Sequence, residues 1–139
     1  TALGLVAFDP TSAPLAAMVA EHIRPEGADV VFEAVGSGET IAAALAATRK
    51  GGRCVIVGNA PAELELDGLA LQRGDRSLIG VLMYDLCDLT EAMRMLSGGL
   101  LAALPEESIV QPFTLEDVGV AFTTAKDGSL AAIRAVVRP

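Results

Sequence analysis

ADVVFEAVGSGETIAAALAATRKGGRCVIV, residues 28–57, reads as strand, turn, helix and strand in succession. Val30-Val31-Phe32 is a continuous apolar run, the pattern of a parallel strand covered by helices on both faces. Ser37 is placed to cap the helix, Glu39 complements its first turn, and Ile41, Ala44 and Leu45 form its apolar stripe. The next stripe position is Thr48, expected to offer the core only its methyl. Lys50-Gly51-Gly52 stops the helix, and Cys54 to Val57 is the following strand. The turn Gly36-Ser37-Gly38 copies the opening of a dinucleotide fingerprint, in which three glycines serve the turn, the pyrophosphate approach and helix packing, and an acid about 20 residues on takes the ribose. Here the third glycine position is Ile41, and the next strand ends Val57-Gly58-Asn59 without a carboxylate. This is a nucleotide-fold α/β pattern lacking the turn that grips phosphates.

Working outward, Leu5 to Phe8 reads as a short buried strand closed by Asp9-Pro10. Thr11 or Ser12 caps a helix with Pro14 in its first turn and Leu15, Met18, Val19 and Ile23 on one face, ended by Pro25-Glu26-Gly27. Beyond Gly58, Leu64 and Leu66 alternate with glutamates as in a half-exposed strand, and Leu69 and Leu71 continue an irregular connection. Leu78 to Leu82 is again a buried strand. Asp88 and Glu91 resemble a capping box opening a helix with Leu89, Met93 and Leu96 inward, stopped by Gly98-Gly99. Ile109-Val110 reads as a small edge strand. Thr114 starts the last helix, with Phe113 and Val118 as a staple and Val118, Phe122 and Ala125 toward the core, closed by Gly128. Ile133, Ala135 and Val137 alternate as a terminal strand. The alternation predicts one compact unit with a parallel sheet, helices on both faces and right-handed crossovers.

Composition excludes several classes. A chain of 139 residues, 52% hydrophobic, is the size of one ordinary domain with its own core. No apolar run approaches the roughly 18 to 20 residues of a membrane span, and the N-terminus carries no secretory pattern, so a soluble cytoplasmic protein is expected. A net charge of -8, with ten scattered basic residues, argues against nucleic acid. Cys54 and Cys87 lack metal or redox spacing and read as free thiols; His22, the lone histidine, has no nucleophile or metal cluster near it in sequence. Thr1 runs almost directly into apolar sequence, as in a processed chain or a piece of a longer one.

The run from Gly27 to Pro61 resembles the second half of the nucleotide-binding domain of zinc-dependent medium-chain dehydrogenases, the alcohol, polyol and threonine dehydrogenases. The similarity continues through Leu64-Glu65-Leu66-Asp67, Ser77 to Val81, Leu96-Ser97-Gly98-Gly99, Phe113 to Asp117 and Arg134 to Val137; upstream, Leu3-Gly4 and Val6 to Pro10 resemble the end of that domain's second helix and its third strand. It implies a partial Rossmann-like doubly wound sheet lacking its first two strands, whose full order is 3-2-1-4-5-6. The catalytic domain with its zinc ligands, the glycine-rich turn and the ribose-binding acid would all precede this segment in a full-length relative. The parent reaction implied is hydride transfer between an alcohol or polyol and NAD or NADP, with this chain inactive by itself and binding cofactor weakly or not at all.

By the same resemblance, Ala34, Val35, Gly36 and Ser37 would line the adenosine and nicotinamide-ribose side. Val57, Gly58 and Asn59 would meet the nicotinamide, backbone at Leu82 and Met83 its carboxamide, and Arg134 the pyrophosphate. Gly36 and Gly58 also fit a purely structural need of strand-end turns, and Arg134 also fits a solvated charge. Glu33 interrupts an apolar strand and is expected to face a neighbouring element or a missing segment. The strand from Ala28 to Val35 would have an unpaired edge, inviting either the Leu5–Phe8 strand or a second copy; relatives also dimerise near Leu78 to Leu82. Two alternatives stand beside this reading. A non-catalytic scaffold would bind neither NAD nor zinc, and a methyl-transfer fold would use Val35-Gly36-Ser37-Gly38 for S-adenosylmethionine.

Overall fold

The computed structural model describes residues 4–9 and 11–139, so Leu3 and Pro10, placed above at a helix end and a strand end, lie outside it. Contacts divide the chain into two compact units: Ala7–Tyr84, and residues 4–6 with Asp85–Pro139.

In the first unit the order is α1 (Leu15–His22), β1 (Ala28–Glu33), α2 (Gly38–Ala47), β2 (Thr48–Ile56), α3 (Gly68–Arg73) and β3 (Ser77–Gly80). The three strands form one sheet in the order β1-β2-β3, all parallel. Parallel neighbours need a crossover, and α2 and α3 supply the two. The expected α/β fold with a parallel sheet is the observed one.

Register explains which face is buried. Val31, Cys54 and Leu78 form one cross-strand row, and Phe32, Val55 and Ile79 form the next. Successive side chains point to opposite faces, so the rows lie on opposite sides of the sheet. The first row packs against Ala44 and Leu45 of α2 and Leu71 of α3. The second is largely open, with Phe32 71% exposed. Helices on both faces were expected of this strand set; here one face is covered, because α1 packs chiefly on α2 rather than on the sheet.

Several local readings change for identifiable reasons. Leu5–Phe8 forms no strand and does not join β1; Phe8 stacks on His22, ring centroids 5.1 Å apart. Thr11 and Ser12 do not cap α1. Asp9 Oδ1 accepts from the Thr11 amide and hydroxyl and Asp9 O accepts from Ser12 Oγ, so these residues close a turn, and Pro14 stands at the N-cap. Leu64 and Leu66 are more buried than Glu63 and Glu65, as their alternation predicts, but form no strand. The irregular connection at Leu69 and Leu71 is the short α3, its N-terminus capped by Asp67, which accepts from the Leu69 and Ala70 amides at 3.0 Å each. Arg76 fastens its far end by donating to Ala70 O and Thr48 O. Thr48 brings more than a methyl: it is 1% exposed, and its hydroxyl donates to Ala44 O at 2.8 Å.

The second unit holds α4 (Leu86–Ser97), α5 (Glu106–Ile109), β4 (Val110–Thr114), α6 (Val118–Lys126) and β5 (Arg134–Arg138). The capping box of α4 sits one turn before its predicted place. Asp85 accepts from the Cys87 and Asp88 amides, and Asp88 accepts in return from the Asp85 amide. Leu89, Met93 and Leu96 form the expected stripe but are exposed. Ile109-Val110 belongs to no isolated edge: Val110 opens β4, which pairs parallel with β5 from Val110↔Arg134 to Thr114↔Arg138. Thr114 therefore ends a strand, its hydroxyl donating to Asp117, and α6 begins at Val118. The buried residue of α6 is Ala121, whereas Val118, Phe122 and Ala125 are exposed. Among the described residues no helix is long and apolar enough to cross a membrane.

Thr48 gives a test of this packing. Thr48→Val keeps the shape but strands the Ala44 carbonyl, a loss of about 1 kcal/mol. Thermal or urea unfolding should show that loss; an unchanged midpoint would mean that the hydroxyl contributes nothing.

Candidate functional site

The carboxyl ends of β1 and β2 meet in a close contact of backbone on backbone. Gly36 has φ +88°, a conformation that favours glycine, and a Cβ there would overlap the backbone of Asn59. A Cβ on Gly58 would likewise overlap Val35 and Gly36. The two turns are thus pressed together at positions where only hydrogen fits, which establishes the structural need for both glycines.

Glu33 organises this junction. It is 4% exposed, and its carboxylate turns back onto the loop that follows it, accepting from Val35 N at 2.8 Å and from Gly36 N at 2.9 Å. The Thr40 hydroxyl donates to the same group at 2.8 Å. Its main-chain carbonyl accepts from Val57 N at 2.7 Å and Gly58 N at 3.0 Å. Glu33 therefore serves its own loop and, through its carbonyl, the end of β2. The Gly36 amide, ahead of the Thr40 and Val35 bonds, holds the carboxyl below the usual glutamate range against the opposing effect of burial. Burial, and then the nearby Glu33 charge, raises the thiol of fully buried Cys54, which stays protonated and unreactive.

Ser37 caps α2 as expected, accepting from Thr40 N at 3.1 Å while Thr40 Oγ1 accepts from Ser37 N at 3.2 Å. The start of α2 consequently carries its own cap and a carboxylate beside it. A helix N-terminus attracts anions, but a phosphate brought here would meet the like charge of Glu33, which already takes the Val35 and Gly36 amides just before it. The absent third glycine and this filled seat agree.

Beside the junction lies a cleft of about 330 Å³ lined by Ile56, Gly58, Asn59, Ala60, Gly80, Val81 and Leu82. It brings together Gly58, Asn59 and Leu82 of the residues singled out in the sequence. Val57 and Met83 flank them in sequence, with Met83 at φ +65°. Ala34, Val35, Gly36 and Ser37 form the adjoining β1–α2 turn, whose backbone touches Asn59 and Gly58. Ile56, Ala60, Gly80 and Val81 were missed; their signal was their place at or just beyond two neighbouring strand ends, where ligands of such sheets lie. Arg134 stands in the second unit, where it opens β5 and lines an apolar groove of about 400 Å³ with Phe122, Leu130 and Ile133.

The residues lining this cleft include no serine, cysteine, histidine or carboxylate. Among the described residues no group of histidine, cysteine and carboxylate side chains could hold a metal ion. His22 stacks on Phe8 and lies 3.8 Å from the Glu21 carboxylate. The cleft offers strand-end backbone and an apolar wall.

The carboxylate makes stability pH-dependent in a stated direction. A carboxyl held below its ordinary value in the fold stabilises above the unfolded value and loses that contribution as pH falls through the folded one. Glu33→Gln should accordingly be less stable than the native chain at neutral pH, with the gap closing on acidification. A gap independent of pH would show that the charge is irrelevant.

Comparison with known proteins places this geometry. Residues 2–98 match the family described as zinc-binding dehydrogenase. The 2-dehydro-3-deoxy-L-galactonate 5-dehydrogenase of Pseudoalteromonas atlantica is 30% identical over 135 residues, covering 97% of this chain and 39% of that protein. An oxidoreductase/dehydrogenase of unknown specificity from Escherichia coli superposes with a TM-score of 0.81 at 25% identity, over 98% of this chain and 38% of that one. The 2R,3R-butanediol dehydrogenase of Bacillus subtilis shares the fold, with a TM-score of 0.78 at 22% identity over 98% and 38% of the two chains. The chain thus spans well under half the length of these relatives. With the family match covering more than half of its residues, the chain belongs to the zinc-binding dehydrogenase family.

Proposed function

We propose that this chain forms the nicotinamide-side wall of the cofactor cleft in an NAD- or NADP-dependent alcohol or polyol dehydrogenase. The cleft at the ends of β2 and β3 carries the reading: about 330 Å³, rimmed by Gly58, Asn59, Gly80 and Leu82, with strand-end backbone and apolar side chains of a size to meet a flat ring. The family match and the dehydrogenase names of the relatives support the same class.

The fit divides along the cofactor. The nicotinamide end suits this cleft, whereas the pyrophosphate does not suit the β1–α2 turn, whose anion seat Glu33 fills. When bound, the nicotinamide would supply the hydride acceptor; the chain's part is to hold the ring and exclude water from one side of it. Zinc has no ligand set among the described residues, so no catalytic step is assigned to it in this chain. In this reading the chain by itself does not oxidise alcohols.

Copies are proposed to associate through sheet edges, since β1 and β3 each pair on one side only. Sedimentation equilibrium should give a dimer or larger; a clean monomer at high concentration would reject this.

Gly80 offers a test of the cleft. A Cβ there meets nothing within 4 Å, so the first atom of a larger side chain is accommodated, and Gly80→Phe should block the cleft and leave the fold intact. Titrating the native chain with NAD should move the amide resonances of Gly58, Asn59 and Leu82, and Gly80→Phe should lose the response. No response in the native chain would favour a scaffold derived from such an enzyme. Alcohol oxidation by the purified chain would overturn its assigned inactivity.

A further inference from the structure

Glu33 does not line the cleft, yet it bonds to both segments that shape the cleft's edge. Its carboxylate holds the amides of Val35 and Gly36, and its carbonyl holds those of Val57 and Gly58. Between these two sets of bonds, Gly36 and Asn59 are in backbone contact. From this geometry we infer that Glu33 is a positioning residue for the cofactor wall: it sets where Gly58 and Asn59 stand, and so how the nicotinamide would lie. The inference deepens the reading under Proposed function and rests on it for the identity of the ligand.

Two other roles for a buried carboxylate fail on the same observations. A general base needs access to a substrate proton and a free lone pair. Glu33 is 4% exposed, and three donors, the amides of Val35 and Gly36 and the hydroxyl of Thr40, converge on its carboxylate. A metal ligand needs companions, and none exist among the described residues. What remains is orientation. The geometry favours a carboxylate over its amide: Oε1 accepts from all three donors, and Oε2 shares the Gly36 N–H, at 2.9 Å to Oε1 and 3.0 Å to Oε2. Glutamine has one acceptor oxygen, and its NH₂ would confront that N–H. The Thr40 hydroxyl, donating to Glu33 and accepting from Ser37 N, extends the linkage into the first turn of α2.

The test uses the 139-residue chain with ¹⁵N spectra and NAD titration. Glu33→Gln should displace the amide resonances of Val35 and Gly36, its direct partners, and those of Gly58 and Asn59 across the contact, while α1 resonances stay in place. NAD affinity should weaken by about tenfold, the scale of a lost hydrogen bond to a charged acceptor. Thr40→Val, which removes one donor and keeps the charge, should show the same displacement to a smaller degree, and serves if Glu33→Gln fails to fold. Thr48→Val, destabilised at the opposite end of β2, should bind NAD as the native chain does, separating position from general stability. Unmoved Gly58 and Asn59 resonances in both Glu33→Gln and Thr40→Val, or unchanged NAD affinity in them, would overturn the inference. If the native chain binds no NAD, the reading of the cleft falls, and the Gly58 and Asn59 resonances alone decide whether Glu33 positions them.

Discussion

One carboxylate on the last residue of β1 ties together a strand end, a helix start and the neighbouring strand. Burying a charge costs several kcal/mol unless its lone pairs are met. Glu33 meets them with two backbone amides and the Thr40 hydroxyl, none more than seven residues away. Two of those donors sit in the loop and the third in the first turn of α2, so the charge is met only while loop and helix start hold this arrangement. That conformation puts Gly36 at positive φ and brings its backbone against Asn59. Among the described residues, no buried side-chain polar atom lacks a partner.

The same constraint bears on ligand chemistry. In a full dinucleotide fingerprint the βα turn leaves its amides and helix dipole free for phosphate. Here the chain supplies its own carboxylate to the Val35 and Gly36 amides of that turn. A turn that looks like half of a phosphate grip is, physically, a brace for the wall beside it.

Elsewhere the first unit is unevenly covered. The Val31–Cys54–Leu78 row is sealed by α2 and α3, while Phe32, with Val55 and Ile79 in its row, faces largely outward. The second unit repeats the theme on a smaller scale: β4, α6 and β5 form a strand–helix–strand unit in which Ala121 alone of α6 is buried. Both units expose large apolar side chains, Phe32 and Leu82 in the first and Leu86 and Phe122 in the second among them.

The sequence by itself determined the α/β class, the parallel pairing of the strands around residues 28–57, the Ser37 cap and the incomplete fingerprint. These follow from local causes: apolar periodicity, capping chemistry, and the residues at three glycine positions. Gly58, Asn59 and Leu82, singled out from strand ends, come together in the structure along one cleft. The sequence misplaced the strand at Leu5–Phe8, the α4 cap and the start of α6, where short segments offer competing signals. Tertiary structure alone decided that one face of the sheet stays open, that Thr48 bonds Ala44, and that Glu33 serves its own turn. Those outcomes depend on which atoms approach once distant segments are packed, and neither spacing nor composition encodes that distance.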